Sequence, residues 1–199
     1  MLTLHHAPQS RSSRIVWLLE ELGADYGIVY TDIPRQDGSG APDPANPHPE
    51  RKVPALVHDG VLVTESVAIM LYLTDLFPDA GLGPRAGERD RGPYLSWLAY
   101  YAGVIEPRIV AEFAGFADHA AVLSTYRGRE EFDRRILGAL EAHSWMLGDR
   151  FSAVDVLIAN IGQWMRGALP EVTAVDDFLA RCAARPAFAA AAAKDAPPA

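Results

Sequence analysis

Several short stretches of this 199-residue chain carry residue types that could do chemistry. Ser10-Arg11-Ser12-Ser13-Arg14 sets three hydroxyls just ahead of an apolar-periodic run, where any of them could satisfy an orphan N–H at a helix start. Thr64-Glu65-Ser66 opens a second such run. There Ser66, with the backbone N–H groups of a helix N-terminus, can receive a carboxylate with help from the helix dipole, and the Glu65 carboxylate can accept from an ammonium. The same three residues would equally serve as a helix cap with no ligand. Lys52, preceded by Arg51 and His48, offers a cation to a carboxylate or stands solvated in its loop. Ser152-Ala153-Val154-Asp155 has the spacing of a capping box, so Asp155 reads as a folding residue and not a catalytic acid. His5 and His6 are adjacent in a strand pattern and point to opposite faces, so they cannot chelate one ion, and no metal is expected. Cys182 has no second thiol for a disulfide or a zinc site, which suits core packing in a reducing cytoplasm.

The elements that must position these residues differ between the two halves. Residues 2–5 alternate apolar and polar as a half-buried strand does. Ile15, Leu18, Leu19 and Leu22 then share one helix face, and Gly23 can take the left-handed conformation that closes it. A second strand is expected over 28–33, parallel to the first, because a helical crossover joins them. Residues 55–58 and 61–63 flank Asp59-Gly60, a two-residue hairpin signal. The helix opened by Thr64, Glu65 and Ser66 presents Val67, Met70 and Leu71 and stops at Phe77-Pro78. The order is βαβ, a long connection, then ββα, which is a thioredoxin-like α+β domain.

Residues 79–87 form a Gly- and Pro-rich linker, so the expected domains are 1–78 and an all-helical 88–199. Helical patterns run over 90–116, 130–147, 153–165 and 175–184, with Phe132, Ile136, Leu140 and Ser144 on one face of the second. The Ala-rich end, 189–199, reads as a fraying helix or a tail without function, and Pro197-Pro198 cannot continue a helix. A net charge of -8 argues against nucleic acid. No apolar run approaches the roughly 18–20 residues that span a bilayer, and no secretory leader opens the chain, so a soluble protein is expected.

Lys52-Val53-Pro54-Ala55-Leu56, then Asp59-Gly60, then Thr64-Glu65-Ser66, together with the Ser10–Arg14 stretch and the helical second half, resemble the cytosolic glutathione S-transferase family over nearly the whole chain. The resemblance implies that Pro54 is a cis proline and that Val53 pairs by its backbone with the cysteinyl unit of glutathione, as an added strand would. It places Lys52 at the glycyl carboxylate and Glu65 and Ser66 at the γ-glutamyl end. Ser10, four residues before Arg14, matches the catalytic serine of the theta-like, serine-type classes, with Ser12 as the runner-up. A charge-assisted bond of about 1.5–3 kcal/mol from that hydroxyl would lower a thiol from roughly 8.5 to about 7. No tyrosine occurs in residues 5–9, which excludes the tyrosine-type classes, and the absence of Cys at position 10 counts against omega-like and beta-like mixed-disulfide chemistry.

By the same resemblance, Trp97, Tyr100, Tyr101, Val104 and Arg108 lie on the helix that shapes the electrophile pocket, although aromatics at helical spacing also build cores. Residues 38–51, a Pro- and Gly-rich stretch inside a connection of nearly twenty residues, are expected from loop length to form a mobile flap over the ligand. The implied function is conjugation of the glutathione thiolate to small apolar electrophiles by a cytoplasmic homodimer, with glutathione as co-substrate. The alternatives are a non-catalytic glutathione- or protein-binding module, and a glutathione-dependent peroxidase or dehalogenase.

Overall fold

A computed structural model of the chain describes residues 1–196, so Pro197 and Pro198 lie outside the described residues. The chain forms two compact units, residues 1–80 with 184–199, and residues 81–183.

The first unit is built on a four-stranded sheet in the order β2-β1-β3-β4. Strand β1 (Leu2–His6) alternates buried and half-buried side chains, so Leu2, Leu4 and His6 face the core. Strand β2 (Tyr26–Tyr30) runs parallel to it, pairing Leu2 with Tyr26 and His6 with Tyr30. The expected span of 28–33 is therefore too late. The parallel ladder ends where β1 ends, just before Ala7-Pro8, and after the Thr31 N–H has bonded the His6 carbonyl at 2.9 Å the chain leaves the sheet. Strands β3 (Ala55–His58) and β4 (Val61–Thr64) close antiparallel around Asp59 and Gly60, whose φ values of 48° and 84° are those of a primed two-residue turn.

Helix α1 (Ser13–Leu22) ends at Gly23, which takes φ 62° and bonds back to Glu20 and Leu19. Helix α2 (Ser66–Leu76) buries Ile69, Met70, Leu73 and Thr74, while Val67 and Leu71, expected on that face, are only half-buried. The segment is apolar almost all round, so periodicity does not identify which side meets the sheet.

The Ala-rich C-terminus is not a featureless tail. It forms helix α9 (Pro186–Lys194), which packs along α1 inside the first unit. The Trp17 ring meets Phe188 edge to face at 5.0 Å. Glu21, whose side chain is 4% exposed, accepts from Trp17 Nε1 at 3.0 Å and from Arg185 Nε and a terminal guanidinium nitrogen at 2.7 Å each. Glu21→Ala removes all three bonds and leaves a hole beneath the helix pair. It is expected to destabilise the chain by about 2–4 kcal/mol in urea titration, whereas Glu20→Ala, at a more exposed position, loses less.

The second unit is helical. The expected single helix over 90–116 is three pieces: α3 (Arg91–Tyr100), a π-helical turn (Tyr101–Ile105) and α4 (Glu106–Phe113). Helix α5 (Ala120–Tyr126) lies outside the expected helical spans, because its sequence has no clear apolar period. Helix α6 (Arg129–Glu141) buries Phe132, Ile136 and Leu140 but stops six residues short of the expected end at Leu147, leaving Ser144 exposed in a loop that closes through paired bonds between Trp145 and Gly148. Helix α7 (Ala153–Trp164) is buried from Ala153 to Ile161, and α8 (Thr173–Ala183) carries the fully buried Cys182.

Candidate functional site

The sheet registers gather the candidate residues. His5 pairs with Ala55, and Ala55 pairs with Thr64. The C-terminal end of β1, the N-terminal end of β3 and the C-terminal end of β4 therefore lie side by side at one end of the sheet. From these three ends emerge the Ser10 loop, Val53-Pro54, and Glu65-Ser66.

The Ser10 loop is tightly tied. Ser10 is 5% exposed and Ser12 is fully buried, with their hydroxyl oxygens 2.7 Å apart. Ser10 Oγ accepts from the Ser12 N–H at 3.1 Å, and Ser13 Oγ accepts from the Ser10 N–H at 3.2 Å. Ser12 sits at the N-cap position of α1 without capping it by side chain. Its hydroxyl turns inward instead, to His6 Nδ1 at 2.7 Å and to both the N–H and the carbonyl of Ala7 at 3.2 Å. A ligand at this end of the sheet thus finds Ser12 already committed to the protein interior. Gln9, at φ 53°, donates its N–H to Asp195 at 3.1 Å, and Arg35 donates to the Pro8 carbonyl at 2.8 Å.

The Val53–Pro54 peptide is cis and precedes β3. Glu65, between β4 and α2, holds φ 67° and ψ 122°, its side chain is exposed, and it makes no capping bond. A non-glycine residue in that region costs on the order of 1–3 kcal/mol and persists where the surroundings impose it, commonly at binding sites. Ser66 is the first residue of α2 and is half-buried.

Lys52 is exposed and ion-paired with Glu50, which holds the ammonium above its ordinary range. Glu65 adds to that shift and Arg11 opposes it, so Lys52 shares a field with both. The pair is exposed and hence readily exchanged for another carboxylate. His48 and Arg51, the weaker cation candidates, are spent inside the loop: His48 is buried and its Nδ1 accepts from the Glu50 N–H at 3.0 Å, and Arg51 donates to the Asn46 carbonyl.

The 34–51 connection is laced by hydrogen bonds. Asp32 accepts from the Ala41 N–H and Asp43 from Thr31, each at 2.8 Å. Gly40, at φ 72°, passes so close to Ile33 that a Cβ would stand 2.1 Å from its carbonyl oxygen. The fully buried Asn46 donates to the Lys52 carbonyl at 2.9 Å, fixing the backbone next to Val53. Asn46 escaped the sequence reading because an Asn among prolines looks like any turn residue.

In the second unit, three of the five expected pocket residues belong to the interior. Tyr101 is 2% exposed, and Arg108 is buried with its guanidinium on the Arg127 carbonyl at 2.8 Å and on Glu112 at 2.7 Å. Trp97 is buried as well. Aromatic spacing on this helix marked the core. Tyr100 and Val104 are half-buried, and the Arg135 guanidinium lies 3.6 Å over the Tyr100 ring. Burial raises the Tyr100 hydroxyl above its ordinary range despite that cation.

Ser152 and Asp155 sit at the start of α7, where Ser152 Oγ accepts from the Val154 N–H and Asp155 accepts from the Ser152 N–H. Among the described residues no group of three or more His, Cys, Asp or Glu side chains could hold a metal ion, and no helix is long and apolar enough to cross a membrane.

Residues 1–75 match the family described as glutathione S-transferase, N-terminal domain. Glutathione S-transferase GstA of Escherichia coli O157:H7 is 28% identical over 172 residues, spanning 84% of this chain and 86% of that protein. The crystal structure of a glutathione transferase from Methylococcus capsulatus str. Bath is similar with a TM-score of 0.80 at 28% identity, covering 98% of each chain. A sphingomonad glutathione S-transferase, solved in complex with glutathione, is similar with a TM-score of 0.78 at 28% identity over 97% of this chain and 98% of that one.

Proposed function

We propose, for a chain that belongs to the glutathione S-transferase family, that the end of the sheet binds glutathione and that the Ser10 hydroxyl stabilises its thiolate for attack on a small electrophile. The observation that carries this reading is the convergence of Ser10, Val53-Pro54 and Glu65-Ser66 at one sheet end. The Val53 backbone lies just before the first rung of β3 and is placed to pair with an extended peptide. Ser66 at the start of α2 offers its hydroxyl and helix N–H groups to the γ-glutamyl carboxylate, and Glu65 accepts from the ammonium. Lys52, released from Glu50, meets the glycyl carboxylate. The thiolate sulfur forms a bond to the electrophilic carbon, the leaving group departs with its electron pair, and the thiol proton passes to solvent.

Titration calorimetry with glutathione tests the binding half. Ser66→Ala and Glu65→Ala each remove a charge-assisted hydrogen bond of about 1.5–3 kcal/mol, so each is expected to weaken glutathione about 10- to 100-fold. No heat at millimolar glutathione for the wild type would sink the reading. A cytoplasmic homodimer is part of this proposal, and a monomer mass in light scattering removes that part.

A second reading, a non-catalytic glutathione- or protein-binding module, is favoured by the inward hydrogen bonding of Ser10, whose hydroxyl is already in contact with Ser12. Retention on immobilised glutathione without turnover of an aromatic halide selects it. A substrate panel separates conjugation from peroxidase or dehalogenase activity.

A further inference from the structure

One buried side chain outside the candidate site holds the peptide unit next to it. Asn46 lies fully buried in the 34–51 connection. Its partners allow its amide only one orientation: Nδ2 donates to the Lys52 carbonyl at 2.9 Å, and Oδ1 accepts from the His48 N–H at 3.0 Å. Its backbone is held as well, because the Asn46 N–H bonds the Asp43 carbonyl at 3.1 Å and the Arg51 guanidinium donates to the Asn46 carbonyl. Asp43 in turn accepts from Thr31 Oγ1 at 2.8 Å, and the Thr31 N–H bonds the His6 carbonyl at 2.9 Å. A line of bonds therefore ties the last residue of β1 to the Lys52 carbonyl without passing through β3. All of these residues belong to the first unit.

The Lys52 carbonyl and the Val53 N–H are the two poles of one peptide unit. That unit is trans and planar, so they point in opposite directions. With the carbonyl drawn onto Asn46, the Val53 N–H is turned away from the side chain that holds it. It donates to no group among the described residues, and Val53 is half-buried. Turning that peptide plane over breaks the Asn46 bond and leaves a buried amide unsatisfied. A carbonyl that accepts a hydrogen bond also polarises its peptide, which strengthens the N–H at the other end as a donor.

We propose that Asn46 is a positioning residue for glutathione: by fixing the Lys52–Val53 peptide plane it presents the Val53 N–H, already oriented, to the carbonyl of the cysteinyl unit. This rests on the reading of Val53 as the backbone edge that pairs with glutathione. A peptide plane that is free to turn must be ordered when the ligand arrives, and that ordering is subtracted from affinity. Held in advance by a buried amide, it costs the ligand nothing. An Asn46 that only keeps the connection folded would act on every ligand alike, whichever groups that ligand carries.

Two ligands separate these roles: glutathione, and an analogue in which a trans-alkene replaces the cysteinyl–glycine amide and so removes that carbonyl along with the glycyl N–H. Both are titrated by calorimetry into wild type and Asn46→Ala at a pH where the thiol is protonated. Wild type should bind the analogue about 3- to 10-fold more weakly than glutathione, and Asn46→Ala should weaken glutathione by a similar factor. The analogue should bind the two proteins almost equally, since the contact that Asn46 serves is already gone. An equal loss for both ligands, or no loss for either, overturns the proposal and leaves glutathione binding at the sheet end intact. In wild type, hydrogen exchange of the Val53 N–H, followed by NMR, should be fast in the free protein and at least about tenfold slower with glutathione bound. An N–H that is protected before glutathione is added, or that stays unprotected after it, overturns the proposal without any variant having to fold. No binding of glutathione to wild type, or equal binding of the two ligands there, removes the Val53 reading and this proposal with it.

Discussion

Ser10→Ala is expected to raise the apparent pKa of the bound glutathione thiol by about one to two units and to lower turnover of an aromatic halide near neutral pH about 10- to 100-fold. The range comes from a charge-assisted hydrogen bond of about 1.5–3 kcal/mol at roughly 1.36 kcal/mol per unit. Glutathione affinity at a pH where the thiol is protonated should change little, because the proposed binding mode holds the γ-glutamyl and glycyl ends elsewhere, at Glu65, Ser66 and Lys52. The substitution also removes the acceptor of the Ser12 N–H, a cost to stability of about 1–2 kcal/mol that appears in urea titration and not in the thiol titration. Ser12→Ala is the informative companion. Its hydroxyl joins His6, Ala7 and Ser10 in a fully buried position, so it should lose more stability than Ser10→Ala does. Equal thiol pKa in wild type and Ser10→Ala, measured by thiolate absorbance, would favour the non-catalytic module.

The second large effect is expected in the helical unit, where Asp155→Ala should destabilise the chain by about 3–5 kcal/mol. Asp155 is fully buried and accepts from the Ser152 N–H at 2.7 Å, from Ser152 Oγ at 2.9 Å and from the Met146 N–H at 2.8 Å. The carboxyl therefore caps the buried helix α7 and fastens the loop after α6 to its start. Removing it strands these donors in the interior. Asp155→Asn keeps the volume and one acceptor and should lose less.

The same carboxyl makes a signed prediction about pH. Burial raises Asp155 from its ordinary 3.8 to about 6, against the pull of the Met146 and Ser152 donors. Because the folded pKa is the higher one, the folded chain keeps a proton that the unfolded chain releases first. The stabilisation is present in full below about pH 4 and is lost as pH rises through about 6, on the order of 2–3 kcal/mol across the window. The amide introduced by Asp155→Asn does not titrate, so wild type should lose stability relative to that variant between these limits, as read by urea midpoints at each pH. A gap that is constant from pH 4 to pH 7 contradicts it.

Legibility tracked distance along the chain. Gly23 ends α1, Asp59-Gly60 turns the hairpin and Phe77-Pro78 stops α2, because each signal acts on backbone within a few residues of itself. The order of strands and helices in the first 80 residues, and the helical character of the second unit, were readable for the same reason. Where a helix is apolar on most sides, as α2 is, the buried face was not readable, and neither was the interior placement of Tyr101 and Arg108.

The amino-acid sequence by itself determined the α+β unit, the helical unit and the residues put forward at the sheet end, because periodicity, turn chemistry and capping are properties of neighbouring residues. Tertiary structure alone decided the end of β2, which is set by the length of its partner, and the docking of α9 on α1, which is set by which surface remains for an alanine face to cover. It also decided the surroundings of Ser10. His6, Ser12 and Asp195 span nearly the whole chain, and only burial of the C-terminal helix against the first one brings a carboxylate to that loop.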